Sequence, residues 1–296
     1  MNVFTFNNVM SEILSIRSRY VRDRAVFVPG DQMTRLLAAL GATEEDLQKI
    51  KLVSDNLSKD PTLPFRESRN GRFCIDFDTA QAYRLEFQPF VLSAEEDFVR
   101  HDSNMVRRFD EIGNDLQLNS TLQALLKFKS LVIKDVPIKH RPDLDYTSNK
   151  WVCTLFNLRT ITTPDLTGEP ALEGVHSDGV DHTMTTFLGS RNMTADSAVT
   201  QVHDMRETNA IRWDETDPAL ILGSWQHQDF LDTLLIVDHE RKHSLSPVLA
   251  VGEEKTATRD MLIFFTRKPV QEGHISYPYD SLNLHEALPM SVDLLR

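Results

Sequence analysis

Cysteine is scarce in this sequence: Cys74 and Cys153 are the only two among 296 residues. Two thiols in a chain of this length do not make a disulfide framework, so we expect a reducing compartment, the cytoplasm. Long apolar runs are missing too, since no stretch reaches the roughly 18 residues that indicate a membrane-spanning helix. The first residues, MNVFTFNN, lack the basic start and apolar core of a signal peptide. We therefore expect no membrane partner.

Positive charge is in the minority. The chain has 32 lysines and arginines against 44 aspartates and glutamates, which gives a formal net charge of −12 at pH 7. Proteins that bind nucleic acids do so through clustered positive charge, and no basic run stands out here. A nucleic-acid partner is therefore not expected. The length and the ordinary apolar content allow one large buried core, and we expect residues 1–296 to form a single domain.

The residue pattern changes twice along the chain. Residues 1–130 are predicted to be mostly helical, because apolar side chains recur at three- and four-residue steps. Within them, Ser93–Glu96 has the serine-to-glutamate spacing of a capping box and predicts the start of a long helix. Residues 131–268 alternate between short strand-like runs and turns rich in Gly, Asn and Pro. The tail, residues 269–296, is predicted to be irregular.

Many short strands separated by such turns are typical of a double-stranded β-helix, the jelly roll also found in cupins. We therefore predict an α+β, mainly β fold in which the N-terminal helices buttress one sheet. The strand stretch is expected to begin at Leu131–Ile133. A second strand, Trp151–Arg159, places Asn157 and Arg159 on one face. Such a polar face suits a substrate site, and it equally suits an edge strand that faces water.

The segment Leu172–Met184, LEGVHSDGVDHTM, contains a histidine and an aspartate two residues apart. Residues i and i+2 of a strand point to the same side, so His176 and Asp178 can bind one metal ion together. A third ligand is available downstream in His243, which follows an apolar strand-like run and a charged turn. Two histidines and one carboxylate with open positions form the facial triad of non-haem Fe(II) oxygenases.

An arginine follows the third ligand at the start of another strand-like run, RDMLIFFTR. The planar guanidinium of Arg259 matches a carboxylate with two hydrogen bonds, as a dicarboxylate co-substrate requires. Arg267 lies on the same face of the same strand, and the sequence leaves open which of the two binds the co-substrate. Arg259 is the preferred candidate because it is closer to His243 in the sequence.

The ordered set H-x-D, H-x-x-x-P and an arginine before a strand resembles the Fe(II)/2-oxoglutarate dioxygenases. Three segments carry the finer resemblance, Leu172–Asp178, Gly189–Asn192 and Asp238–Pro247. They are most similar to the bacterial free-amino-acid dioxygenases typified by L-isoleucine 4-hydroxylase. The resemblance covers roughly Trp151 to Lys268, and the N-terminal half matches only loosely.

The resemblance implies an enzyme that uses Fe(II), 2-oxoglutarate and O₂. It would hydroxylate an unactivated C–H bond of a free or N-substituted L-amino acid and release succinate and CO₂. His176, Asp178 and His243 would hold the metal, and Arg259 would bind the far carboxylate of 2-oxoglutarate. The family often has Ser or Thr two residues after this arginine, where Met261 stands here. A hydroxyl contact to the co-substrate is then expected from Thr185 or Thr186.

An amino-acid substrate needs a basic group for its carboxylate and an acidic group or a carbonyl for its amine. Arg159 and Arg66 are the candidates for the carboxylate, and Glu173, three residues before a metal ligand, is the candidate for the amine. The oligomeric state cannot be read from the sequence, and a homodimer is the default expectation for a soluble oligomer.

Other interpretations of the histidines remain open. His239–His243 spells H-E-x-x-H, the zinc motif of metallopeptidases, although those motifs lie on a helix and this segment follows a strand-like run. His227 begins another H-x-D, which we interpret as structural or surface. His182 and His203 are spare imidazoles that could replace His243 as a ligand. A catalytically silent jelly-roll binding protein is the alternative outside enzymes.

Overall fold

The computed structural model describes residues 3–92, 102–252 and 255–294. The predicted capping box, Ser93–Glu96, lies outside these residues. The helices are α1 (Val3–Asp23), α2 (Gly30–Ala39), α3 (Glu44–Lys49), α4 (Asn114–Gln117) and α5 (Ser120–Ile133). The strands of the first half are β1 (Ala25–Val28), β2 (Arg66–Asp76), β3 (Gln81–Leu85), β4 (Asp110–Glu111) and β5 (Lys150–Thr162). Those of the second half are β6 (His182–Arg191), β7 (Val199–His203), β8 (Ile221–Gln226), β9 (Thr233–Val237), β10 (Lys242–Leu245), β11 (Ala257–Arg267) and β12 (Ser291–Asp293).

Two sheets of unequal size form the core. The larger has the order β1-β9-β6-β11-β5-β2-β3-β12, and β4 pairs with β2 outside this path. The smaller has the order β10-β7-β8. All pairs are antiparallel except that of β2 with β4. This sheet-rich architecture with helices on one side is the predicted jelly-roll fold.

Strand alternation separates a structural face of the large sheet from a cavity face. On β11, Leu262 and Phe264 are wholly buried in the main core together with residues of α1, α2 and α5. Met261 and Ile263, which alternate with them along the strand, lie on the opposite face and line a cavity. Since side chains alternate with a period of two, one strand contributes to the core and to the cavity at the same time.

Two sequence predictions about the elements were wrong. Leu131–Ile133 ends helix α5 and is not a strand. The reason is that Val132 continues the apolar face of Leu125 and Phe128 at three- and four-residue steps, so the helical period extends through the run. The tail, which was predicted to be irregular, contains strand β12.

No helix among the described residues is long and apolar enough to cross a membrane.

Candidate active site

The two histidines of the predicted metal site lie side by side on adjacent chain segments. The backbone N–H of His176 donates to the carbonyl of His243 at 3.0 Å, and the reciprocal bond is 2.9 Å long. This isolated antiparallel bridge connects the loop after residue 174 to β10 of the small sheet. The two imidazole ring centres are 4.3 Å apart. Backbone pairing therefore brings together two side chains that are far apart in the sequence.

The carboxylate of Asp178 completes the group. Its Oδ1 is 3.4 Å from Nε2 of His176, and its Oδ2 is 3.6 Å from Nε2 of His243. One potential ligand atom from each residue falls within 4.8 Å of the others, and all three side chains are buried. Thr183 holds the carboxylate in place, because its hydroxyl donates to Oδ2 at 2.8 Å.

The hydrogen bonds of His176 set it up as a ligand. Its Nδ1 is 2.8 Å from the carbonyl oxygen of Gly174. Because a carbonyl oxygen can only accept a hydrogen bond, Nδ1 must carry the proton in that bond. Nε2 is then the atom that faces Asp178, and it would bind a metal after losing its proton. Gly174 has a φ of +75°, and a Cβ there would lie 2.3 Å from the carbonyl oxygen of Ile211. Only glycine fits this turn.

The charges of the three groups depend on one another. Burial by itself lowers the pKa of His176, but the carboxylates of Glu173 and Asp178 outweigh it and raise that pKa to about 9. Burial lowers the pKa of His243 to about 4. Burial opposes ionisation of Asp178, yet the two histidines hold its pKa below the usual value. A buried carboxylate beside two imidazoles is a donor set that suits Fe(II), so these residues fit the metal of a facial triad.

A cavity lies between the two sheets and contains all three residues. About 920 Å³ of space, including the solvent at its mouth, lies between its lining atoms. Its wall is mainly apolar and aromatic, with contributions from Phe90, Phe109, Phe156, Leu158, Ile263 and Phe265. Phe156 makes edge contacts with the rings of Phe90 and Phe109, at 4.9 and 5.1 Å between centres. The site is therefore a mostly apolar pocket with a few polar groups, as is usual for small-molecule sites.

Arg259 lines this cavity with only 2% of its surface exposed. Burial lowers the pKa of its guanidinium to about 10, so it remains charged at neutral pH. Among the described residues, no carboxylate forms an ion pair with it, and its Nε is buried without a hydrogen-bond partner. A buried cation in this state is incomplete without an anionic ligand, because an unpaired buried charge is costly.

Thr185 and His227 line the cavity with Arg259. The Thr185 hydroxyl lies 3.1 Å from Nε2 of His227. Burial lowers the pKa of His227 to about 3, and the charge of Arg259 acts in the same direction. The structure thus places His227 inside the cavity as a neutral imidazole, where the sequence interpretation made it structural or surface.

Arg267, the competitor of Arg259, lies elsewhere. Its guanidinium forms an ion pair with Asp280 at 3.1 Å, and it is not among the residues that line the cavity of the metal group. Eight residues of extended strand separate the two arginines, so a shared face does not bring them to the same site. Arg259 is the one that lies near the triad.

The structure places Arg159, a predicted substrate residue, outside the cavity. Arg159 pairs with Asp260 at 2.7 Å and with Asp55 at 3.0 Å, and it does not line the cavity. Its neighbours Phe156 and Leu158 face the cavity, so alternation directs Arg159 to the other side of β5.

Glu173 and Arg66, the other substrate candidates, do line the cavity. Oε1 of Glu173 is 3.2 Å from Nε2 of His176, and the side chain is 7% exposed. Nε of Arg66 donates to Asp60 at 2.7 Å. Arg107, which sequence reasoning missed, also lines the cavity. It lies 5.2 Å from the centre of the Phe90 ring and 3.4 Å from Asp102.

The H-E-x-x-H interpretation is contradicted by the backbone. Asp238–Glu240 is one turn of 3₁₀ helix and Lys242–Leu245 is a strand, so His239 and His243 do not share a helix face. Nε2 of His239 contacts the carbonyl oxygen of Lys139 at 2.5 Å, away from the metal group.

The spare imidazoles do not replace His243. Nδ1 of His182 lies 2.8 Å from the Tyr20 hydroxyl, and Nε2 of His203 lies 2.9 Å from the Ser244 hydroxyl. Neither residue belongs to the group of potential metal ligands.

Comparison with known proteins identifies the family to which this chain belongs. Residues 51–265 match the 2OG-Fe dioxygenase family. The chain belongs to this family. The dioxygenases of this family and their solved relatives depend on Fe(II), 2-oxoglutarate and O₂. The donor set and the buried arginine described above agree with that requirement.

Two relatives share about half of their aligned residues with this dioxygenase. It is 46% identical over 289 residues to the bifunctional enzyme flvA of Aspergillus flavus, an alignment that covers 98% of this chain and 35% of flvA. The chain thus spans about a third of the length of this curated relative. It is 52% identical to the Fe(II)/(alpha)ketoglutarate-dependent dioxygenase TqaL, with a TM-score of 0.86 over 100% of this chain and 99% of that one.

A more distant structure shares only the fold. IDO from Bacillus thuringiensis is 15% identical, with a TM-score of 0.65 over 86% of this chain and 99% of that one. The predicted jelly roll is therefore confirmed, whereas the finer resemblance to amino-acid hydroxylases is not.

Proposed function

We propose that this dioxygenase hydroxylates an unactivated C–H bond of a free or N-substituted L-amino acid. In this proposal His176, Asp178 and His243 are the Fe(II) ligands. Bound there, Fe(II) with 2-oxoglutarate supplies the O₂-dependent oxidation of the family, with succinate and CO₂ as co-products. The products are then a hydroxyamino acid, succinate and CO₂.

The protein contributes a fixed set of donors to the metal. Nε2 of His176 is directed by the Nδ1 bond to Gly174, and the carboxylate of Asp178 is held by Thr183. A metal held by these three side chains would have positions left for the co-substrate and O₂.

The far carboxylate of 2-oxoglutarate is proposed to pair with Arg259. This assignment rests on the buried guanidinium that has no carboxylate partner among the described residues. Thr185 is proposed as the hydroxyl contact, since it lies in the same cavity and bonds to the neutral His227 next to Arg259. The co-substrate would thus complete the hydrogen bonding of groups that are otherwise costly to bury.

The substrate is proposed to bind between the metal and the aromatic wall. Glu173 would bind its ammonium group and Arg66 its carboxylate, while Phe156 and Leu158 would contact an apolar side chain. Removing the substrate from water in this way strengthens its polar contacts and protects the oxidising chemistry from side reactions.

The observation that carries the substrate proposal is the presence of both charge signs in an otherwise apolar cavity beside the metal group. Buried acids and arginines are rare. Apart from Asp178 and Arg259, which have roles in the proposal already, the wall carries the carboxylate of Glu173 and the guanidinium groups of Arg66 and Arg107. A zwitterion with an apolar side chain matches these groups.

The test is succinate formation from 2-oxoglutarate by purified protein with Fe(II) and ascorbate, under air, with a panel of free L-amino acids. We expect apolar amino acids to stimulate succinate formation and to gain one oxygen atom by mass spectrometry. Absence of stimulation by any free or N-substituted amino acid would remove this substrate class and leave the family assignment intact.

Glu173→Gln tests the proposed amine contact. The substitution keeps the shape and removes the charge, so the KM for the amino acid should rise at least tenfold, since a hydrogen bond to a charged group contributes about 1.5–3 kcal/mol. Glu169→Gln is the matched control, because Glu169 lies four residues earlier and does not line the cavity. Equal KM values for both variants would rule out the amine contact.

A further inference from the structure

Asp238 is a buried carboxylate that the proposed reaction does not use. None of its surface is exposed, and it begins the 3₁₀ turn that leads into β10 and His243. Its Oδ1 is buried without a hydrogen-bond partner. A wholly buried carboxylate with an open acceptor atom costs stability, so its presence beside a ligand calls for a functional explanation.

The open acceptor faces an open donor. Nδ1 of His243 is buried and also lacks a hydrogen-bond partner, and it lies 3.9 Å from Oδ1 of Asp238. When Nε2 of His243 binds a metal, Nδ1 must carry the proton, because an imidazole has only two nitrogens. That N–H then needs an acceptor. A small rotation of the imidazole ring would bring it within hydrogen-bond distance of the carboxylate of Asp238.

The same carboxylate also contacts the segment that carries the other two ligands. Its Oδ2 accepts the backbone N–H of Val180 at 3.3 Å, and the backbone N–H of Asp178 is bonded to the carboxylate as well. The backbone of Asp238 adds two contacts to this loop: its carbonyl accepts the Ser177 hydroxyl at 3.1 Å, and its N–H donates to the carbonyl of Asp181 at 3.1 Å.

We propose that Asp238 is the positioning residue of the metal site, and that it fixes His243 and the Asp178 loop relative to each other by accepting the Nδ1–H of the metal-bound histidine. The two histidine ligands are then oriented by different acceptors, the carbonyl of Gly174 for His176 and the carboxylate of Asp238 for His243. Acceptors of this kind orient a ligand and raise its basicity. The inference rests on the proposed ligand set.

The first test is metal affinity, with Zn(II) as the probe in competition with a chelator. Asp238→Asn should bind Zn(II) about 10- to 100-fold more weakly than the wild type, as is typical when such a partner is lost. Asp181→Asn is the matched control: Asp181 is equally buried in the same loop, but it bonds to the Tyr146 hydroxyl and to the backbone N–H of Lys268. Unchanged affinity of Asp238→Asn, or equal losses in both variants, would overturn the proposal.

The second test is made first on the wild type, where folding defects of a variant play no part. In the Zn(II)-loaded wild type with ¹⁵N-labelled histidine, the Nδ1–H of His243 should give a downfield proton resonance that is slow to exchange with water. Rapid exchange of that proton would overturn the proposal. The signal should persist in Asp181→Asn and be lost in Asp238→Asn and His243→Ala. If His243→Ala binds Zn(II) like the wild type, the ligand set itself is wrong and the role of Asp238 is excluded with it.

Discussion

Arg259 is the residue on which the co-substrate assignment depends. Arg259→Gln removes its charge from a buried site, and loss of one partner of a buried charge pair costs about 2–5 kcal/mol. We therefore expect the KM for 2-oxoglutarate to rise by at least tenfold, with unchanged metal affinity. The KM for 2-oxoglutarate is measured by steady-state succinate formation in the wild type and in the variant.

Arg267→Gln is the control for that prediction. Arg267 pairs with Asp280 outside the cavity, so its substitution should lower stability and leave the KM for 2-oxoglutarate unchanged. A rise in that KM for Arg267→Gln, with none for Arg259→Gln, would reverse the assignment.

At the scale of single residues, the sequence predicted what local spacing determines. The two-residue step brings His176 and Asp178 together, and the order of motifs identified His243 and Arg259. Arg159 was misplaced because its polarity suggested the cavity, whereas alternation along β5 turns it towards Asp55. The position of His227 in the cavity was not predicted, because it depends on tertiary packing that cannot be deduced from a single sequence.

At the scale of elements, the two faces of the large sheet have different tasks. Phe264 of β11 is wholly buried on the helix side, whereas Phe156 of β5 lines the cavity. Phe264→Ala should lower the free energy of unfolding by about 3–5 kcal/mol, because it leaves a cavity in the core. Chemical denaturation of the metal-free protein measures this loss.

Phe156→Ala is the companion variant on the cavity face. It should raise the KM for the amino acid, because the residue lines the space that the substrate is proposed to fill. It should lower the free energy of unfolding by less than Phe264→Ala does. A larger stability loss for Phe156→Ala than for Phe264→Ala would contradict the division of the sheet into two faces.

The element predictions failed where two periods overlap. Leu131–Ile133 has the β-branched, apolar character of a short strand, yet it completes the helical face of Leu125 and Phe128. The long strands β5 and β11 were predicted more reliably, because each has an extended apolar run bounded by turns or polar residues. Which run pairs with which strand is a long-range property, and the sequence alone did not reveal the order within the sheets.

At the scale of the whole molecule, a buried ion-pair cluster attaches the C-terminal segment to the large sheet. Asp280 is 2.8 Å from Arg72 of β2 and 3.1 Å from Arg267 of β11, and its side chain is 2% exposed. Asp280→Asn leaves two arginines with a weakened partner, so we expect the free energy of unfolding at pH 7 to fall by about 3–5 kcal/mol. Thermal and denaturant unfolding would reveal it, and a change within experimental error would contradict the anchoring role.

The stability of the metal-free protein should fall in acid in two stages. His227 has a folded pKa of about 3, below its ordinary value of about 6.5, so the unfolded chain binds more protons as the pH falls below 6.5. Burial opposes ionisation of Asp280, but Arg267 and Arg72 hold its pKa below the usual value, and its contribution is lost below about pH 4. His227→Gln should reduce the first stage, to which His243 with its folded pKa of about 4 also contributes, and Asp280→Asn should reduce the second. Stability that is constant from pH 7 to pH 5 would contradict the first stage.

The central claim is that His176, Asp178 and His243 hold Fe(II) in the cavity where Arg259 binds 2-oxoglutarate. The most direct measurement is an anaerobic titration of the protein with Fe(II) and 2-oxoglutarate, followed by the visible charge-transfer absorption of the Fe(II)–2-oxoglutarate chelate. We predict that the band develops with one Fe(II) per chain in the wild type, is lost in Asp178→Ala, and requires more 2-oxoglutarate in Arg259→Gln. A band of full intensity in Asp178→Ala, with the affinity of the wild type, would contradict the account.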